Sequence, residues 1–145
     1  MASIFDVARY IVDKQGRVTT MKLQKLCYYS QAWTLVWDEE PLFNEDFQAW
    51  ANGPVNADLF KLHKGQFVVE EGFLHDQTSG DALTEEQMQN IDEVLDYYGD
   101  KNPHWLSELT HLERPWKDTR GDRPPGEHSR KIISKKSMQD YYGSL

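Results

Sequence analysis

The sequence predicts a mainly α-helical fold: a compact single domain of about six helices around a central buried helix at residues 20–37, with a small β element. Three observations lead there. The stretch Thr19–Trp37 carries no charge from Leu26 to Trp37, and on a helix its apolar residues fall on both sides. Leu23, Leu26, Cys27, Ser30, Trp33 and Trp37 share one side, while Met21, Tyr28, Ala32, Leu35 and Val36 share the other. A helix apolar nearly all round is enclosed by other elements. The uncharged run is well short of the ~20 apolar residues that span a bilayer, and Ser30, Gln31 and Thr34 interrupt it. The second observation is a series of capped amphipathic segments on either side of this helix. The third is length: 145 residues make one domain with a sizeable core, so residues 1–145 are read as a single unit.

Ser3 to Gln15 is the first helix. Ser3 and Asp6 have capping-box spacing, and Ile4, Val7, Ala8 and Ile11 form an apolar stripe. Gly16 stops it, and the central helix follows closely enough for the two to pack as an antiparallel pair. Thr19 or Thr20 caps the central helix. Lys22 and Lys25 lie in its early turns, where the helix dipole does not favour cations. That mismatch calls for a partner, and an internal carboxylate is expected ahead of a ligand anion. Pro41 cannot continue the helix.

Asp46–Ala51 reads as a short strand. Gly53-Pro54 follows as a turn, because Gly permits torsions that other residues avoid and the position before proline is biased to extended geometry. Asn56 caps a short helix, Ala57–Lys64. Gln66–Glu70 is a second strand, expected to pair with the first. Gly72–Asp81 is loop. Thr84 and Gln87 form a capping box, and Met88, Ile91, Val94, Leu95 and Tyr98 repeat at helical spacing up to Gly99. Asn102-Pro103 opens a helix running to about His111, with Trp105, Leu106, Leu109 and Leu112 turned to the core. Pro115-Trp116 breaks it. Residues 118–130 are a polar loop expected to be mobile. Ile132-Ile133 is an edge strand, and Ser134 caps a final helix with Met138, Tyr141 and Tyr142.

The composition narrows function by exclusion. A net charge of −8 argues against non-specific binding to nucleic acid or anionic lipid and suits a basic protein partner. A lone cysteine excludes an internal disulfide and a multi-Cys zinc site. The N-terminus lacks the pattern of a signal peptide, so a cytoplasmic protein without membrane association is expected. Cys27 lies on the most apolar helix and reads as core rather than nucleophile. His104 and His111 are two helical turns apart, about 10 Å of rise, too far to share one metal. No P-loop, dinucleotide fingerprint or nucleophile elbow is present. The basic cluster Arg114, Lys117, Arg120, Arg123, Arg130, Lys131, Lys135 and Lys136 is interrupted by acids, and internal salt bridges or a protein contact suit it better than phosphates.

The segments TTMKLQKLCYYSQAW at 19–33, PLFNEDFQAWANGPVNADLF at 41–60 and LSELTHLERPW at 106–116 together resemble the Panacea domain. This is the SocA-like antitoxin family of phages, prophages and toxin–antitoxin operons. The ending Ile132–Tyr142 resembles the family's hydrophobic turn and short helix with paired aromatics, so the likeness covers nearly the whole chain. Cys27 stands where an aliphatic residue is common, and Asn52 where an aromatic often precedes Gly-Pro-Val. The chain carries no added DNA-binding region such as some members have, so transcriptional autoregulation is not expected.

The resemblance implies a mostly helical fold, no catalysis, no cofactor and no metal. It implies neutralisation of a co-encoded toxin by direct binding, with a protease as a further partner in delivery-type members. Lys22, Gln24, Lys25, Trp50, Gly53, Pro54, His111 and Trp116 match the family pattern. Trp50, Gly53 and Pro54 are expected to hold the fold, while the roles of Lys25 and His111 stay open. Two other functions are weighed against this one: a nucleic-acid-binding regulator using Arg114–Lys136, and a hydrolase using His111 and Glu113.

Overall fold

The computed structural model describes residues 2–145. Among the described residues seven helices and five short strands follow one another. The expected architecture is present: a mainly helical domain with a small β element. Helix α1 (Ile4–Gln15) has the Ser3–Asp6 capping box and ends at Gly16 with φ +78°. Helix α2 (Thr20–Asp38), capped by Thr19, is the hub. From Leu23 to Ala32 every residue is buried, and α1, α4 (Glu85–Tyr98), α5 (Pro103–Leu112) and α7 (Lys135–Gly143) pack around it. Cys27, Tyr28 and Tyr29 are fully buried at its middle. No helix among the described residues is long and apolar enough to cross a membrane.

The far end of α2 departs from expectation. Trp33 is half-buried and Trp37 is 45% exposed. Both rings lie along a groove instead of inside the core. The helix is therefore enclosed from Leu23 to Ala32 and open on one side at its C-terminal end.

The strands also pair differently from the expected arrangement. Strand β2 (Phe47–Trp50) turns through Ala51-Asn52 into β3 (Gly53–Val55), placing Trp50 opposite Gly53. The Gly-Pro segment is thus a strand. The other edge of β2 pairs with β5 (Ile132–Ile133), Phe47 opposite Ile133. With both edges of β2 occupied, β4 (Val68–Glu70) pairs instead with β1 (Arg17–Thr19), a strand that sequence periodicity cannot reveal in three residues. Helix α3 (Ala57–His63) starts at Asn56, whose side chain accepts from the Leu59 N–H at 2.8 Å.

Two further expectations are corrected. Of the α5 residues expected in the core, Leu106 is buried, but Leu112 is 76% and Trp105 38% exposed. Helix α5 does end before Pro115, at Leu112, but Pro115 does not lead into a loop. It opens α6 (Arg114–Arg120) in its first turn, where a residue without an N–H loses nothing. Residues 118–120 therefore belong to a helix, and the loop begins at Gly121.

Candidate functional site

Seven of the eight motif residues converge on the β2–β3 hairpin. Gln24 reads the backbone of Asn56 as a strand edge would. Its Oε1 accepts from the Asn56 N–H at 2.9 Å, and its Nε2 donates to the Asn56 carbonyl at 3.3 Å. Those bonds fix which end of the amide is which. The same Nε2 lies 3.0 Å from His63 Nε2, so the imidazole accepts there and is neutral. Burial pushes the His63 pKa down in agreement, and the Lys25 charge adds to the effect.

Lys25 is 1% exposed. Among the described residues no carboxylate meets it. Its Nζ donates to the Pro54 carbonyl at a long 3.4 Å, and burial pushes its pKa down to about 8. The hairpin is shaped to this side chain. Gly53 sits at φ +119°, and a Cβ there would fall 2.5 Å from Lys25 Cε and 3.0 Å from Thr110 Oγ1. Lys22, the eighth motif residue, points elsewhere and donates to the Gly99 carbonyl. For Lys25 the expected carboxylate partner is thus replaced by a backbone carbonyl, which neutralises no charge, whereas Lys22 bonds the Gly99 carbonyl with the Asp100 charge nearby.

Trp116 ties α6 to the hairpin, donating from Nε1 to the Trp50 carbonyl at 2.8 Å. His111 stacks on Trp116 with ring centres 4.0 Å apart and planes 13° apart. Its Nε2 is buried without a partner among the described residues, and burial followed by the nearby Lys25 and Arg120 charges pushes its pKa down. Beside this cluster lies a cleft of about 340 Å³ whose lining includes Gln24, Lys25, Trp50, Phe60, His63 and His128.

A second concavity, of about 510 Å³, runs along the open end of α2. Trp33, Trp37, Tyr97, Leu109, Leu112 and Tyr141 line it. Trp33 and Trp37 are stacked at 5.7 Å, and Trp33 Nε1 donates to the Tyr98 hydroxyl at 3.0 Å. At its base lies Glu113, which joins α5 to α6 with its side chain turned inward. Its Oε1 accepts from the Tyr29 and Tyr142 hydroxyls, each at 2.7 Å, and the Tyr28 hydroxyl lies 3.1 Å from that of Tyr142. Burial raises the Glu113 pKa, and the two hydroxyls oppose that rise. The sequence reading missed this network. Its signal was the pair Tyr28-Tyr29 on a helix apolar all round, since buried hydroxyls need partners.

These positions bear on the two weighed alternatives. His111 stacks on Trp116, while Glu113 Oε1 is held by the Tyr29 and Tyr142 hydroxyls. The basic cluster is largely engaged within the fold. Arg120 is buried, donating to the carbonyls of Ala49 at 3.0 Å, Pro124 at 3.0 Å and Glu127 at 2.6 Å. Arg114 pairs with Asp118 at 3.1 Å, Lys135 with Asp46 at 2.8 Å and Lys136 with Asp140 at 3.0 Å.

A family model described as antitoxin SocA-like, Panacea domain, matches residues 23–117. Those residues contain α2 from Leu23 onward, the hairpin, α5 and the Pro115-Trp116 pair described above. The chain belongs to this antitoxin-like family. Comparisons with curated proteins and with solved structures return no match.

Proposed function

We propose that this protein neutralises a toxin encoded beside it by binding the toxin directly, and that the groove at the open end of α2 is the contact surface. The observation that carries the reading is the groove itself. It presents Trp37 at 45%, Tyr97 at 61% and Leu112 at 76% exposure on one face, whereas large apolar residues clustered at a surface mark an interaction site. Aromatic anchors supply much of the energy of protein interfaces. A net charge of −8 would speed encounter with a basic partner and disfavour an acidic one.

Co-expression with the neighbouring gene product tests the reading. That product alone should arrest growth, this chain should restore it, and the two should co-purify. Trp37→Ala and Leu112→Ala should each abolish rescue while leaving the melting temperature of this chain nearly unchanged. Rescue without a complex would replace direct binding by delivery to a protease. Rescue that survives both substitutions would move the contact to another face.

A further inference from the structure

We propose that the cleft beside the β2–β3 hairpin is a small-molecule site for an oxyanion carried on a flat ring, with Lys25 Nζ meeting the phosphate or carboxylate and Trp50, Phe60 and His128 enclosing the ring. Four observations carry it. First, Lys25 is a buried cation with one long hydrogen bond, 3.4 Å to a carbonyl, and among the described residues no carboxylate pairs with it. A buried charge without a counter-charge is costly, and an oxyanion is the chemistry that offsets it. Second, Lys25 lines a cleft of about 340 Å³, within the range of small-molecule sites. Third, the lining includes the rings of Trp50, Phe60, His63 and His128. Trp50 lies 5.0 Å from Phe60 and 5.5 Å from His128, centre to centre, both edge-on. Fourth, Gly53 leaves the space that a Cβ would take from the lysine stem, so the hairpin is built around the position of this amine.

The groups facing Lys25 are consistent with an uncompensated cation. His63 comes from α3 and His111 from α5, and both have pKa values pushed down by burial and by the Lys25 charge. His128 lines the cleft from the loop before β5. Near neutral pH the amine is protonated, its pKa lying at about 8. A bound anion favours the charged amine, so affinity should fall about tenfold per pH unit once the free amine begins to lose its proton.

Calorimetric titration of the full chain decides the matter, with adenosine 5′-monophosphate and indole-3-acetate as probes and adenosine and indole as their uncharged counterparts. At least one anion should bind at least tenfold more tightly than its counterpart. That binding should weaken at least tenfold in Lys25→Met and decline above pH 8. Preference for the nucleotide identifies a phosphate ligand, and preference for indole-3-acetate a carboxylate. His128→Ala, at an exposed wall of the cleft, should weaken the same binding severalfold without changing the melting temperature. It decides the question together with the pH profile if Lys25→Met does not fold. Failure of both anions to bind at millimolar concentration overturns the proposal. So does binding that is indifferent to Lys25→Met, or to both pH and His128→Ala.

Discussion

At the scale of single residues, two of the buried charges, Glu113 and Lys25, make opposite predictions about pH. Glu113 has a raised pKa in the folded chain, so the folded state holds the proton more tightly than the unfolded one. Burying it therefore costs stability above its raised value, and the cost fades as pH falls towards the ordinary 4.5. Both tyrosine hydroxyls bond the same oxygen, and a glutamine carbonyl can accept both. Glu113→Gln should thus be at least as stable as the parent in urea at pH 7, with its advantage shrinking by pH 4.5. An advantage that grew on acidification would contradict the raised pKa. Lys25 runs the other way. Its pKa falls from 10.5 to about 8 on folding, equivalent to roughly 3 kcal/mol. That cost is fully present below pH 8 and is relieved as pH rises from there to 10.5. Lys25→Met should accordingly gain roughly 1–3 kcal/mol at neutral pH and lose most of that gain at alkaline pH. Neither environment was legible in the sequence. A lysine in an early helical turn led to the expectation of an internal carboxylate partner, and nothing local marks the glutamate before Arg-Pro-Trp as buried; only packing from distant segments encloses them.

Among the elements, legibility followed length and local chemistry. The helices with capping boxes, α1 and α4, were readable because cap, stripe and stop are all local. The pairing of β1 with β4 was not, since strands of three residues carry no usable period and their partners lie far apart in sequence. The hairpin motif was legible as residues but not as a cradle for Lys25. Gly53→Ala should cost about 2–3 kcal/mol, combining strain at φ +119° with the 2.5 Å clash against Lys25. In a Lys25→Ala background the cost should be smaller by roughly 1 kcal/mol, which urea unfolding of the four-member cycle would measure. Equal costs in both backgrounds would mean that the clash is relieved without effort. Helix α7 makes a further point. It lies beyond the residues matched to the family, 23–117, yet it supplies Tyr142 to Glu113 and packs along α2. A chain ending at Ile133 should therefore lose cooperative unfolding, as seen by calorimetry, even though the family-matched segment is intact.

At the scale of the whole molecule, charge and core divide the work. The acidic total governs which partners approach, and the basic residues that look like a nucleic-acid patch in sequence are largely held by carbonyls and carboxylates. Retention on double-stranded DNA is accordingly not expected even at low salt, and a steep salt-dependent affinity in a gel-shift titration would contradict this account. The core is continuous from α1 to α7 through α2, and at its centre sits Cys27, with no solvent exposure and a thiol pushed well up by burial. A thiol so enclosed cannot meet an alkylating reagent until the domain opens. Because the chain has one cysteine, its modification rate is a clock for global opening. Any molecule that binds only the closed form slows that clock in proportion to its occupancy. The protein thus carries its own reporter for a partner still to be captured.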